Sequence, residues 1–405
     1  MSLISYSQPT IRVSIDVGCH QHSVAIGLSE GNVIIDEFEI KHDLNGFNTF
    51  FQRIEKWEKK HAFPVNVAME GFNGYARPLD KLIRARNYRL FNINNLKLAR
   101  FKEIFPGPAK TDPIDARKGL ELFQLDELLP LAKGVLQEVA ATPRVNDDLK
   151  RLTRRRKRLV RERVSLVNSI QADIQSICPG LLEITKSVSN VWFLNFITSS
   201  SDFKKLAAKR ASSLLKIASV GKKYLADIQS WQAQALYSED ADLVGPMILE
   251  DAEQIKVFNA KIKRINAQIN LTKLDSDEAR LIQSIPGYGD TVSAELSGEI
   301  GTVNRFEKES SLALYLGMTG LDNSSGRYKG SKQPKHVNTR AKMAMMTAID
   351  RHRKLVPESQ AYYEKKRREG KKHNQAIRAL GRHLCRVMFK MLSENREYVV
   401  KNKQD

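Results

Sequence analysis

Ile11-Arg12-Val13-Ser14-Ile15-Asp16-Val17 sets apolar residues at every second position with polar ones between them, the period-two pattern of a β-strand. Two more strand-like runs follow, His22 to Leu28 and Val33 to Ile40. The turn residues Glu30-Gly31-Asn32 divide them, so the first part reads as a three-stranded antiparallel meander. Next come an amphipathic stretch from Gly46 to Lys60, a strand at Val65 to Met69, a helix over Tyr75 to Arg86 and a strand at Tyr88 to Ile93. Alternation of this kind predicts an α/β domain over residues 1–130, a sheet covered by helices.

Beyond Pro143 the pattern changes to long helices. Leu149, Leu152, Leu159 and Leu166 mark an apolar seam that Ile170, Ile174 and Ile177 extend, and Pro179-Gly180 ends it. A second seam, Ile255, Phe258, Ile262, Ile265 and Ile269, steps by threes and fours, so the two are expected to pair as an antiparallel coiled coil. This helical segment covers residues 140–280, with an insert of mixed helices and Ser-rich joints from Leu181 to Pro246 to which no chemistry attaches. A mostly α C-terminal domain, residues 281–405, holds a Gly-rich turn, a Gly/Ser/Lys-rich loop from Gly317 to Gln333 and helices from Thr339 to Glu397.

The chain has 405 residues, 41% of them apolar, enough for more than one core without covalent staples. Cys19, Cys178 and Cys385 lie far apart without metal-ligand spacing, which argues against a disulfide framework or zinc site. The N-terminus from Met1 to Thr10 is polar and no stretch has the apolar length of a membrane span, so a cytoplasmic protein without a membrane partner is expected. The net charge of +20, from 66 Lys and Arg against 46 Asp and Glu, points to a polyanionic partner, with nucleic acid first.

Asp16 comes late in the first strand, Glu70 directly follows Val65-Asn66-Val67-Ala68-Met69, and Asp112 and Asp115 are three apart in Lys110-Thr111-Asp112-Pro113-Ile114-Asp115-Ala116. Residues three apart share a helix face. Acids converging from strand ends and one helix face repel one another unless a divalent cation neutralises them, and magnesium suits such oxygen ligands. The plainer alternatives are loop-edge acids at Asp16 and Glu70, and a helix start at Asp112, with a capping side chain, Pro113 in the first turn and Asp115 near the dipole.

After Leu316 the run Gly317-Met318-Thr319-Gly320-Leu321-Asp322-Asn323-Ser324-Ser325-Gly326 is too rich in glycine and small polar residues to continue a helix, and predicts an exposed loop. A hydroxyl flanked by Gly326 and by Arg327, Lys329, Lys332 and Lys335 suits a phosphodiester, although no base for it is evident. The alternative is a basic loop that only touches phosphates. Further upstream, Lys150, Arg151, Arg154, Arg155, Arg156, Lys157, Arg158, Arg161 and Arg163 crowd the first apolar seam, and so dense a run of one sign should track a phosphate backbone. Lys365-Lys366-Arg367-Arg368 with Lys371-Lys372 forms a second basic cluster, for which a solvated helix end is the alternative. Ser284-Ile285-Pro286-Gly287-Tyr288-Gly289 resembles a helix-hairpin-helix turn able to hold a phosphate, or is a simple turn between helices.

Ser14-Ile15-Asp16-Val17-Gly18, Ala68-Met69-Glu70-Gly71 and Lys110-Thr111-Asp112-Pro113-Ile114-Asp115-Ala116 resemble, in order and spacing, the DEDD motifs of the insertion-sequence-110 transposases, relatives of the Piv DNA invertases. Tyr315-Leu316-Gly317-Met318-Thr319-Gly320 and Asn323-Ser324-Ser325-Gly326 resemble that family's C-terminal domain with its Ser-Gly signature. Cys19-His20 stands where many members carry lysine, and Val337 where many carry glycine. The resemblance implies a RuvC-like, RNase H-like fold for the first domain, with Mg2+ held by Asp16, Glu70, Asp112 and Asp115. It further implies that Ser325, rather than Ser324, attacks DNA and becomes joined to it. Its implied partners are target and donor DNA, a structured bridge RNA, and further copies of the chain, from dimer to tetramer, with a site composed between protomers. Arg151, Arg154, Arg155, Lys157, Arg158, Arg327, Lys329 and Lys335 are then the expected nucleic-acid contacts.

Two rival readings remain at this point: a RuvC-like nuclease whose acids activate water while Ser325 only binds phosphate, and a nucleic-acid scaffold whose acids are caps and surface charges. The choice between transposition and inversion, and the DNA and RNA sequences involved, are not written in these motifs.

Overall fold

The computed structural model describes residues 8–70, 76–94, 98–99, 101, 103, 112–128, 135–327, 330–332, 334 and 337–399, and only the backbone of Asp112, Leu128 and Ser331. The chain divides into two units, Met1–Ala141 and Thr142–Asp405.

The first unit runs β1 (Ile11–Val17), β2 (Gln21–Leu28), β3 (Ile34–Lys41), α1 (Leu44–His61), β4 (Val65–Met69), α2 (Arg77–Ala85), β5 (Arg89–Ile93), α3 (Asp112–Leu128) and β6 (Leu136–Glu138). Its sheet has the order β3-β2-β1-β4-β5-β6. β1, β2 and β3 form the antiparallel meander expected from sequence, β4 pairs parallel to β1 and β5 parallel to β4, and β6 closes the edge antiparallel to β5. The odd residues of β1, Ile11, Val13 and Ile15, pack with Val67, Met69, Phe50, Ile54, Leu79 and Ile83. The polar residues between them are not left in water: Arg12 is 4% and Ser14 is 1% exposed, because α3 covers the second face of β1 and β2. The three residues of β6 carry no periodic signal long enough to read, and they take the sheet past residue 130.

The second unit continues with α4 (Arg144–Ile177), α5 (Val191–Ile197), α6 (Ala211–Leu214), α7 (Gly221–Ala233), α8 (Ala241–Lys273), α9 (Asp277–Gln283), α10 (Asp290–Ile300) and α11 (Glu309–Tyr315). It ends with β7 (Leu321–Asp322), β8 (Ser331–Lys332), α12 (Thr339–Leu355), α13 (Pro357–Arg368) and α14 (His373–Ser393). The long helices α4 and α8 lie antiparallel, since Arg156 donates to Asn266 and Arg163, seven residues on, donates to Asn259, seven residues back. Leu149 and Leu159 meet Ile262, Ile265 and Ile269 at one end of the pair. At the other end the helices between residues 181 and 246 seat Trp192, Phe193, Phe196 and Trp231 against Ile170, Ile174, Ile248 and Ile255. A separate core built from Ile282, Ile285, Leu296, Leu312, Met345, Ile349, Ile377, Leu384 and Met388 joins α9 to α14. No described helix is long and apolar enough to cross a membrane.

Candidate active site

Asp16 is half-buried near the C-terminal end of β1, and the parallel register Ile15↔Met69 brings Glu70, the residue after β4, to the same end of the neighbouring strand. α3 runs antiparallel to β1 across the face that carries Asp16. Arg12 donates to Glu127 at 2.6 Å near the helix end, and Gly119 lies directly on Ser14, so each step forward along β1 is a step back along α3. Asp16 is two residues beyond Ser14 on the same strand face, and Asp115 is one turn before Gly119 on the same helix face. The half-buried Asp115 therefore arrives at the level of Asp16. Asp112 lies three residues earlier on this helix, and its side chain falls outside the described residues.

Asp16 pairs across the sheet with Ser23, and Ser23 with Glu39, whose carboxylate accepts the Ser23 hydroxyl at 3.5 Å. Glu39 thus shares the row of Asp16, which strand register reveals and local sequence does not. Close by, His22 is fully buried with its Nε2 2.7 Å from His42 Nδ1. Burial and the facing His42 lower its pKa to about 4, so the ring is neutral near pH 7. Among the described residues no three acids, histidines or cysteines gather closely enough to hold a cation.

The serine segment is a short hairpin. Leu321 pairs with Lys332 and Asp322 with Ser331, and Asn323 N–H donates to Gly330 O at 2.9 Å. Ser324, Ser325, Gly326 and Arg327 at the tip are exposed. Gly326 has φ +55°, the left-handed backbone that favours glycine, and among the described residues nothing crowds the position of a β-carbon there. Among the described residues no side chain hydrogen-bonds the Ser325 hydroxyl. Lys329 and Lys335 lie outside the described residues.

The root of the hairpin, in contrast, is tightly held. Asn338 N–H donates to Tyr315 O at 2.9 Å, and its side-chain NH2 donates at 2.7 Å both to Glu299 and to the Tyr315 hydroxyl. That hydroxyl donates to the Glu299 carbonyl at 2.7 Å, while Asn338 Oδ1 caps α12 by accepting from Arg340 and Ala341. The fully buried Glu299 receives two hydrogen bonds from Arg154, at 2.7 and 2.8 Å. Burial pushes its carboxyl pKa up, but the bonds from Arg154 and Asn338 and the charges of Arg154 and Lys150 outweigh this and leave it below the ordinary range.

The basic helix is therefore divided. Arg154 pairs with Glu299 and Lys157 with Glu295, 2.9 Å away, both acids on α10. Gly298 permits this contact, since a β-carbon there would come 2.5 Å from the Lys150 nitrogen. Arg151, Arg155 and Arg158 are exposed, and Arg155 lines a groove with Lys261 and Arg264 of α8, two cations that a reading of one helix could not join to the first.

In the Ser284–Gly289 turn Tyr288 is buried, the Pro286 carbonyl lies 2.7 Å from His352 Nδ1, and Gly287, at φ +89°, abuts the α12 backbone. Asp290, paired with Lys273, puts an acid at the α10 N-terminus where a phosphate would have to sit. The turn is a packed helix–helix connection. In the C-terminal cluster Lys366 is occupied by Glu369 and Arg367 by the Lys371 carbonyl, while Lys365, Arg368, Lys371 and Lys372 are exposed.

Residues 13–179 match a family described as a transposase of the DEDD type, and residues 279–364 match the "Transposase IS116/IS110/IS902 family". The chain is 24% identical to the insertion element IS116 44.8 kDa protein of Streptomyces clavuligerus, over 78% of this chain and 79% of that one. It is 25% identical to the IS900 42 kDa protein of Mycobacterium paratuberculosis, over 82% and 84%. Against the IS110 43.6 kDa protein of Streptomyces coelicolor the identity is 24%, over 75% of each chain.

Proposed function

This chain belongs to the IS110 family of transposases, whose activity implies the cutting and rejoining of DNA, and from that membership we propose a two-part mechanism in which Ser325 attacks DNA and the acids around Asp16 hold magnesium. The observation that supports it is that Asp16 and Glu70 stand at the same end of two neighbouring parallel strands, with the helix that carries Asp115 packed on the first of them. The strand order, an antiparallel meander followed by parallel strands, supports an RNase H-like reading of the first domain, residues 1–130.

Asp16, Glu70, Asp112 and Asp115 offer only hard carboxylate oxygens, the donor chemistry that magnesium prefers, so these residues fit it. When bound, the ion would offset charge on the phosphate oxygens during transfer. The Ser325 Oγ–phosphorus bond replaces one phosphorus–oxygen bond of the DNA backbone, the departing DNA oxygen takes up the proton, and the reverse step rejoins the strand. Because phosphodiester bonds are exchanged one for one, no external energy source is needed. Gly326 at φ +55° lets the backbone turn beneath the attacking hydroxyl, and Arg327 offsets phosphate charge.

The antiparallel α4/α8 pair supports a coiled coil within a helical segment of residues 140–280, with the serine domain at 281–405. Arg151, Arg155 and Arg158 would track a nucleic-acid backbone, while Arg154 and Lys157 are already committed to Glu299 and Glu295. Target and donor DNA are the substrates, a bridge RNA the guide, and a homo-oligomer of two to four chains the working assembly. The test incubates the protein and its copurified RNA with element-end DNA, with magnesium or with chelator, and follows strand cleavage. Cleavage that needs magnesium and is lost in Asp16→Asn and Glu70→Gln is expected. Cleavage that survives chelation or either substitution overturns the reading.

A further inference from the structure

We propose that Glu299 is the positioning residue for Ser325: buried beneath the root of the serine hairpin, its carboxylate joins Arg154 of α4 to Asn338 and so fixes where the hairpin leaves the domain. The inference rests on Ser325 being the nucleophile.

An exposed hairpin whose paired strands contain two residues each cannot orient its own tip. Its direction must come from its two ends. The leading end follows Tyr315, the last residue of α11, and the trailing end is Asn338, the cap of α12. Backbone N–H to carbonyl bonding at 2.9 Å ties these ends together. Glu299 touches both, through the Asn338 side chain at 2.7 Å and through its own carbonyl, which accepts from the Tyr315 hydroxyl at 2.7 Å. Gly317, just beyond Tyr315, has φ +68° and packs against Lys342 of α12, so the leading strand has little freedom to reorient by itself.

A carboxylate with no exposed surface is costly to bury, and packing alone does not call for one. What it supplies is direction. Arg154 grips both oxygens in a planar fork, which fixes the carboxylate plane, and that plane then fixes the Asn338 amide. An error of about an ångström at the root would carry to the tip, where reacting atoms must be held within a few tenths of an ångström.

The experiment compares wild type, Glu299→Gln, Asn338→Asp and the exchange Glu299→Gln/Asn338→Asp, reading the rate of protein–DNA adduct formation at saturating nucleic acid, nucleic-acid affinity and thermal midpoint. In the exchange the new aspartate still caps α12, and the new glutamine can return the lost hydrogen bond with donor and acceptor reversed. Each single variant should form adduct at least tenfold more slowly with affinity within twofold of wild type, and the exchange should recover to within about threefold. A wild-type rate in Glu299→Gln overturns the proposal, as does a loss that tracks the fall in thermal midpoint and is not recovered by the exchange. If wild type forms no adduct, or Ser325→Ala forms one normally, the Ser325 reading has failed instead.

Discussion

Gly119 of α3 lies against the Ser14 hydroxyl of β1 with no room for a β-carbon between them. The contact sets the height at which α3 crosses the sheet, and hence where Asp115 stands relative to Asp16. Gly119→Ala should push the helix outward and separate these acids. Overpacking of this kind costs about 1–3 kcal/mol, so the protein should still fold while DNA cleavage falls by at least an order of magnitude. Parallel measurement of melting temperature and cleavage rate tests this, and unchanged cleavage would show that α3 does not position an acid.

The exposed and the paired arginines of α4 should behave differently. Replacing Arg151 or Arg155 with Ala should leave stability within about 0.5 kcal/mol of wild type, weaken nucleic-acid binding and reduce the salt dependence of binding by about one unit of slope per lost phosphate contact. Arg154→Ala instead leaves Glu299 buried without its main partner. Arg154 is itself partly exposed, so screening lowers the cost below that of a fully buried pair, to about 1–3 kcal/mol of stability. Denaturation curves and binding titrations over a salt series separate the two behaviours, and equal effects from Arg151 and Arg154 would contradict the division.

His22 gives the first unit a pH dependence of defined sign. Its folded pKa, about 4, lies below the ordinary histidine value of 6.5, so the buried ring stays neutral while the unfolded chain takes up a proton. Its contribution is therefore complete above pH 6.5, declines as pH falls from there to about 4, and then levels off. The full loss is of the order of 3 kcal/mol. The groups facing the ring are His42 and, behind it, Phe47. Histidine NMR should show one ring titrating near pH 4, and denaturation of His22→Gln should show a flatter dependence between pH 6.5 and 4; an ordinary titration for His22 would refute this.

Ser324 and Ser325 sit side by side at the exposed hairpin tip, but only Ser325 precedes the glycine with left-handed φ. Ser324→Ala should keep at least a third of the wild-type cleavage rate, whereas Ser325→Ala should abolish strand cleavage under the same assay. Equal losses in both variants would mean that the tip binds phosphate without forming a bond to it.

The first unit was legible in sequence wherever periodicity repeats: the alternation of Ile11 to Val17 fixed β1, and the apolar run ending at Met69 put Glu70 at a strand end. What periodicity could not convey was pairing. That Glu39 shares the row of Asp16 depends on the register of three strands, and β6 is too short to announce itself. In the second unit the seams of α4 and α8 were visible, but their cations looked alike. Only the packing of α10, made possible by Gly298, separates Arg154 and Lys157 from Arg151, Arg155 and Arg158. Glu299 drew no notice in the sequence because one acid in a short helix carries no local signal; its partners lie 145 and 39 residues away.

The most direct test of the mechanism is to stop the reaction by denaturation, digest the protein and map by mass spectrometry where nucleotide is attached. The expected result is a nucleotide on Ser325, present in wild type with magnesium and absent from Asp16→Asn. Cleaved DNA with every peptide of the 317–338 segment unmodified would contradict it and point to water, activated by the acids, as the nucleophile.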